Sequence, residues 1–268
     1  MSNASVIVRV RDEERTLSRT LASLRGQTVR PEIIVVDSGS RDGSIAIARR
    51  NCDRLVEIPP DEFSYGRALN LGARAASAPI HFALSAHCFA EREDWIERSL
   101  RHYEREQVAA TNGSQTFPDG IPVSEPFVQD AAHARANPRW GFSNHASSWR
   151  GSVWERFPFD EQLYYAEDKE WALRVLEAGW VIVFDPALWV DMSHAWRSTF
   201  DYYRRQRRAA SAVATFSALP PYRAGDLLRE WWEEIPADGH SALFHRLNYR
   251  RTAGLLGKYL GYAATRRR

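Results

Sequence analysis

Asp37-Ser38-Gly39-Ser40 and Glu167-Asp168 are the two places in this sequence where residue types and spacing carry chemistry. The first closes an apolar run, Ile33-Ile34-Val35-Val36, so it falls where a buried strand gives way to a turn. A carboxylate there accepts hydrogen bonds and suits the N3–H of a uracil or thymine ring. Gly39 tolerates unusual φ and ψ and the serines cap turns, so backbone can approach a ligand closely. Asp42 is placed to cap a helix beginning at Gly43. The second place puts Glu167, Asp168 and Glu170 at a loop-to-helix start. Acids there complement the helix dipole, or one of them takes a proton from a reacting hydroxyl. The residues alone leave both roles open.

The elements that must position these groups are legible from periodicity. Ser5–Val10 is apolar and β-branched and reads as a first strand. Asp12, Glu13 and Glu14 open a helix carrying Leu17, Leu21 and Leu24 at helical spacing, ended by Gly26. Strands are predicted over Glu32–Val36, Leu55–Ile58, Ile80–Leu84, Val108–Asn112, Ser143–Trp149 and Trp180–Phe184. Helices are predicted over Gly43–Arg50, Tyr65–Ala76, Glu93–Glu106, Gly151–Arg156 and Glu167–Ala178. Alternation at this spacing predicts an α/β fold, a mostly parallel sheet with helices on both faces. Ligands in such sheets bind outside the C-terminal ends of the strands. From Phe117 to Arg139 four prolines interrupt the pattern, and the stretch reads as a long binding loop. Thr199–Ala218, Ala224–Glu234 and Ser241–Ala264 read as a helical C-terminal extension, giving two segments, 1–198 and 199–268.

The 268 residues are 44% hydrophobic and 26% charged, as in globular proteins generally. Cys52 and Cys88 form no CxxC pair, which argues against a disulfide framework or a cysteine zinc site. No GxGxxG follows the first strand and no GxxxxGK[ST] occurs, so neither common phosphate-binding loop is expected. Val6-Ile7-Val8 is too short for a signal peptide and no apolar run approaches the ~20 residues of a membrane span. A cytoplasmic location is therefore expected. Charge is uneven: residues 1–194 hold 22 basic against 28 acidic residues, and residues 195–268 hold 14 against 6, a net of +8. The final helix pairs Leu255, Leu256, Tyr259 and Leu260 with Arg250, Arg251 and Lys258. Such a basic amphipathic segment suits the inner face of an anionic membrane.

Four segments in order resemble the family 2 glycosyltransferases of GT-A (Rossmann-like) fold: Val8-Arg9-Val10-Arg11-Asp12-Glu13-Glu14, the strand and turn at Asp37, Phe63-Ser64-Tyr65-Gly66-Arg67-Ala68-Leu69-Asn70, and Tyr165-Ala166-Glu167-Asp168-Lys169-Glu170-Trp171. The last two point to a rhamnosyltransferase-like branch. The resemblance implies an inverting transferase that moves a sugar from a UDP- or dTDP-linked donor to a hydroxyl of a glycan or lipid-linked glycan, in cell-surface polysaccharide assembly. Nucleic acid is not an expected partner. By the same resemblance Val10, Arg11, Glu13, Asp37, Ser38 and Gly39 hold base and ribose, and Arg67 faces diphosphate or ribose. Asp168 is the base, Glu167 orients acceptor or helix, and Asp160, Trp140 and Trp171 lie on the sugar and acceptor side; as large rings, Trp140, Trp149 and Trp154 are either sugar platforms or core.

The family's metal-binding Asp-x-Asp is replaced here by Ser85-Ala86-His87. The resemblance leaves two readings: a divalent cation, Mn2+ or Mg2+, held by His87 and His194, or no metal, with His87, His194 and nearby arginines stabilising the departing diphosphate. Imidazole favours manganese over magnesium. Two rivals are a sugar nucleotidyltransferase and a catalytically silent nucleotide-sugar or glycan-binding module. The acidic Arg11-Asp12-Glu13-Glu14 speaks against the first, which wants a glycine-rich basic turn. The missing Asp-x-Asp speaks for the second.

Overall fold

The protein is described by a computed structural model over residues 3–113, 123–193, 198–217, 223–233 and 246–265. Val6 and Val8 of strand β1 (Ala4–Val10) enter one hydrophobic cluster and Ile7 enters the other, because successive strand side chains point to opposite faces. Ile33 and Val35 separate from Ile34 and Val36 on β2 (Glu32–Asp37) in the same way. Both faces are covered, which is why these strands read as unbroken apolar runs. One face packs Leu17, Leu21 and Leu24 of helix α1 (Glu14–Arg25) and Trp95 and Ile96 of α4 (Trp95–His102). The other packs Leu69 and Ala73 of α3 (Tyr65–Ala75), Trp154 of α6 (Gly151–Arg156), and Trp171, Val175 and Leu176 of α7 (Glu167–Glu177). Helix α2 (Ser44–Asn51) joins β2 to β3 (Arg54–Glu57).

With β4 (Ile80–Ser85), β6 (Val108–Asn112), β7 (Phe127–Gln129), β8 (Ala146–Arg150) and β9 (Val181–Phe184), the sheet has the order β3-β2-β1-β4-β8-β6-β9-β7. Strands β3, β2, β1 and β4 are parallel, β8 runs antiparallel to both neighbours, and β7 runs antiparallel to β9. A second sheet pairs β5 (Cys88–Phe89) with β10 (Asp191–Met192). Register decides the position of the site: Val10 pairs with Asp37 and Arg9 with Ser85, so three adjacent strands end together.

Two expectations are corrected. The Pro-interrupted stretch is not all loop, because β7 and α5 (Ala131–Ala136) lie within it. Three strand residues are too few to show a period, and α5 is signalled only by its cap, Asp130, which accepts the His133 N–H. The helix expected over Glu93–Glu106 shortens to Trp95–His102.

The chain divides into two units, one within residues 1–193 and one within 194–268. In the second, α8 (Thr199–Phe216), α9 (Ala224–Glu233) and α10 (Arg246–Thr265) form the helical segment. Helices α8 and α10 meet through Gly254, Gly257 and Gly261. A Cβ on Gly257 would stand 2.5 Å from the Tyr203 carbonyl oxygen, and one on Gly261 2.3 Å from that of Arg207. No helix among the described residues is long and apolar enough to cross a membrane.

A close approach in the first unit ties α3 to the loop before α7. A Cβ on Gly66 would lie 2.4 Å from the Asp160 carbonyl oxygen. Glycine-to-alanine within a helix ordinarily stabilises by roughly 0.5–1 kcal/mol. Gly66→Ala should instead lower the urea unfolding free energy by about 1–3 kcal/mol, since overpacking against backbone has no rotamer to yield. An unchanged or raised midpoint would show that the loop moves freely.

Candidate active site

The loops after β1 and β2 are laced together. The Ser38 N–H and Oγ donate to the Val10 carbonyl at 3.1 and 3.2 Å. The Asp12 N–H donates to Ser40 Oγ and the Arg41 N–H returns to Asp12 Oδ1 at 2.7 Å. The Glu13 N–H donates to Ser44 Oγ, and the Glu14 N–H to Asp42 Oδ2, whose other oxygen accepts from the Ser44 N–H. Asp42 thus serves the start of α2, as its position suggests, and that of α1 as well. These bonds spend the polar atoms of Val10 and Ser38 on scaffold, while Arg11 is exposed.

Asp37 differs from its neighbours. It is 1% exposed, and its Oδ1 accepts the Gly39 and Ser40 N–H groups, both at 2.9 Å. Its Oδ2 is buried with no hydrogen-bond partner. A buried carboxylate oxygen left unsatisfied is costly, and is usual only where something outside the chain completes it. Gly39 holds φ +83°, and a Cβ there would strike the Pro60 ring at 2.4 Å, so the turn needs glycine.

Ser85 ends β4, and Ala86 and His87 follow it. The Ser85 N–H donates to the His145 carbonyl and the Ala86 N–H to that of Arg9. His87 Nδ1 lies 2.9 Å from Glu13 Oε1. Among the described residues no three His, Cys, Asp or Glu side chains gather as a cation site. His87 and Glu13 by themselves do not fit a divalent metal. His194, the other expected ligand, lies outside the described residues.

At the acidic end, Ala166 precedes α7 at φ +61°. The left-handed conformation costs a non-glycine residue roughly 1–2 kcal/mol, and such strain collects at functional sites. The two following carboxylates are successive helical residues and so point to different sides of α7. Glu167 is buried, accepts from Asn144 Nδ2 at 3.4 Å and lies 3.8 Å from Arg9 Nη1. Asp168 is half-buried; its Oδ2 accepts the Asn144 N–H at 3.4 Å and its Oδ1 the Lys169 N–H at 2.8 Å. The Lys169 ammonium donates to the Gly141 and Phe142 carbonyls, fixing the turn that carries Asn144 and His145.

Burial, and then the neighbouring Asp168 charge, push the Glu167 carboxyl up to about 7. Burial, with the Lys169 charge, pushes His145 down to about 4, so its ring is neutral at pH 7. Glu167 therefore binds a proton more tightly folded than unfolded, and stability falls as pH rises from about 4.5 to 7. Glu167→Gln should remove that slope. From pH 5 to pH 8 the native protein loses on the order of 2 kcal/mol relative to the variant, read by thermal melts at both values. Parallel pH profiles would show that Glu167 titrates like a solvated acid.

Several expected site residues take other roles. Trp171 is fully buried and donates from Nε1 to the Phe157 carbonyl at 2.6 Å, so it is core and no sugar platform. Trp149 and Trp154 are buried as well. Trp140 is half-buried, its ring 4.6 Å from that of Phe184. Arg67, expected at the diphosphate, instead places its guanidinium between Glu62 and Glu161 at 2.6 and 3.3 Å, where two carboxylates hold it. Asp160 accepts the Gln162 N–H at 2.8 Å. The Phe63–Asn70 segment is thus a clamp on the loop before α7. Asn70 Nδ2 donates to the Phe159 carbonyl and Glu161 Oε1, and its Oδ1 accepts from Trp154 Nε1 and the Phe159 N–H.

Arg9, Asn144 and His145 were not among the expected site residues. Arg9 Nη2 donates to the Asn144 carbonyl at 2.7 Å, and its guanidinium lies 5.4 Å from the Tyr65 ring centre. A lone arginine in an apolar strand was the available signal.

A mixed sheet whose parallel half ends in a half-satisfied carboxylate, with a carboxylate pair at the start of α7, is the arrangement of a glycosyltransferase of GT-A fold, and comparison with known proteins agrees. Residues 5–158, more than half of the chain, match the model for "Glycosyl transferase family 2", and the chain belongs to that family. It is 27% identical over 202 residues to the O-antigen chain rhamnosyltransferase WbaN of Salmonella anatum, covering 66% of this chain and 62% of that protein. It is 28% identical over 196 residues to the glycosyltransferase AglE of Haloferax volcanii, covering 67% and 63%. The chain thus spans under two thirds of these relatives' length. Among solved structures, the mannosyltransferase PcManGT of Pyrobaculum calidifontis, in complex with GDP-Man and Mn2+, gives a TM-score of 0.71 at 15% identity over 98% of this chain and 86% of that one. Glucosyl-3-phosphoglycerate synthase of Mycobacterium tuberculosis gives 0.62 at 16% identity over 82% of each. At these identities the likeness is one of fold.

Proposed function

We propose that this enzyme transfers a sugar, with inversion, from a UDP- or dTDP-linked donor to a hydroxyl of a glycan or lipid-linked glycan in cell-surface polysaccharide assembly. The observation that carries the donor class is the unpartnered Oδ2 of Asp37, an acceptor where the N3–H of a uracil or thymine ring would arrive. The relatives' names, O-antigen chain rhamnosyltransferases among them, support the polysaccharide context. Asp168 is the base. The acceptor hydroxyl gives its proton to the Asp168 carboxylate as its oxygen bonds to the anomeric carbon. The bond from that carbon to the diphosphate oxygen breaks with its electron pair leaving on the diphosphate. Attack and departure on opposite faces invert the centre in one displacement, without the close second nucleophile that retention requires. Glu167, held by Asn144 and Arg9, is a positioning residue. Exposed Phe200, Leu228, Tyr249 and Leu256 in the second unit, with its net basic charge, support contact with an anionic membrane that presents the acceptor.

The test is turnover of uridine, deoxythymidine and guanosine diphosphate sugars with manganese, with magnesium and with chelator. Release of UDP or dTDP, with an inverted glycoside by NMR, is expected. Exclusive turnover of guanosine donors would defeat the Asp37 argument, and loss with chelator would bring His87 and His194 back as metal ligands.

A further inference from the structure

Four aromatic rings gather on the side of the site that carries the carboxylate pair. Phe63 and Tyr65 come from the start of α3, and Tyr164 and Tyr165 from the loop before α7. Ring centres are 5.1 Å apart for Phe63 and Tyr65, 6.0 Å for Tyr65 and Tyr164, and 5.2 Å for Tyr164 and Tyr165, all in edge-to-face or tilted contact. Arg9, 5.4 Å from the Tyr65 ring and 3.8 Å from Glu167, joins this cluster to the acidic end.

Exposure separates this cluster from the core. Trp149, Trp171, Phe142 and Phe159 are fully buried, whereas Tyr164 is 47% exposed. Its loop is held at both ends, by Asn70 and the Gly66 approach at residues 159–161 and by the left-handed Ala166. The ring is therefore held in place before any ligand arrives, which lowers the ordering cost of binding. A pyranose presents a face of C–H groups that matches an aromatic face, and the phenol hydroxyl can meet a ring hydroxyl at the edge.

We propose that Tyr164, backed by Phe63, Tyr65 and Tyr165, is a stacking platform for a pyranose ring of the acceptor. The inference rests on the transferase function proposed above. Tyr164 stands four residues before Asp168, and the base must meet the acceptor's hydroxyl. Through Tyr65 and Arg9 the cluster reaches Glu167, the residue next to the base, so its half-exposed ring is placed to meet the sugar that carries that hydroxyl, while the donor's nucleotide is held at Asp37.

Saturation-transfer NMR tests this with methyl α-L-rhamnopyranoside, methyl α-D-mannopyranoside and methyl β-D-galactopyranoside, with UDP and dTDP in separate tubes. The native protein and Tyr164→Phe should saturate the protons on one ring face of at least one pyranoside. Tyr164→Ala should weaken that signal at least threefold and leave nucleotide saturation unchanged. Equal pyranoside signal in Tyr164→Ala, or none in the native protein while a nucleotide binds, overturns the platform. Absence of nucleotide binding in the native protein defeats the transferase function separately, and a pyranoside signal that still falls in Tyr164→Ala keeps the platform. Tyr164→Phe should melt with the native protein, and Tyr164→Ala, which loses ring contacts with Phe63, Tyr65 and Tyr165, should melt a few degrees lower but still cooperatively.

Discussion

Asp168→Asn should lower kcat by about a hundredfold to ten-thousandfold, the range expected when a positioned general base is removed. Asparagine keeps the shape, and its single amide oxygen can still accept the Lys169 N–H; its NH2 takes the Oδ2 position and gives up only the long 3.4 Å contact with the Asn144 N–H, so the fold and the donor KM should change little. The amide cannot take a proton from the attacking hydroxyl, and the loss therefore belongs to the chemical step. Turnover and nucleotide binding measured on the same preparation separate these effects. A variant that keeps more than a tenth of native kcat would move the base elsewhere, and Glu167, whose carboxyl is pushed up to about 7, would be the next to substitute. A variant that also loses nucleotide binding would show that Asp168 supports the fold.

The second large effect is a change of base preference in Asp37→Asn. Two backbone N–H groups hold one side-chain oxygen in place, so the amide oxygen stays there and the NH2 takes the position of the unpartnered Oδ2. An acceptor becomes a donor. It then opposes the N3–H of uracil or thymine and matches the bare N3 of cytosine. UDP or dTDP affinity should fall about 10–100-fold, the cost of losing a hydrogen bond to a charged group and leaving a donor unpaired. CDP should gain relative to both. Calorimetric titration of the three nucleotides into native and variant protein reads this directly. Equal losses for all three would mean that Asp37 shapes the turn without touching the base.

Much of the scaffold around these residues is legible in the sequence. The strand carrying Asp37 is an unbroken apolar run and the helix carrying Asp168 has helical periodicity, and their ends are marked by glycine and acids. The pieces that escape are short or depend on distant partners. Strand β7 has three residues, too few to alternate. Arg67 and Asn70 lie in a segment whose pattern resembles part of the site, yet both reach residues 159–161, about 90 positions away, and Arg67 also pairs with Glu62. No local pattern states which carboxylate an arginine will meet.

Sequence by itself determined the α/β order, the family, the carboxylate that ends β2 and the acidic pair, because each is a local matter of residue type at a strand end or helix start. Tertiary structure decided which of two adjacent carboxylates is buried and which is half-buried, through Ala166 and the Asn144–Arg9 contacts. It also decided which aromatic rings are core and which are surface. Trp171 and Tyr164 are both large rings near Asp168, and only packing from other elements buries the first and leaves the second half-exposed. Burial is a property of what surrounds a side chain, and those surroundings come from strands and helices far along the chain.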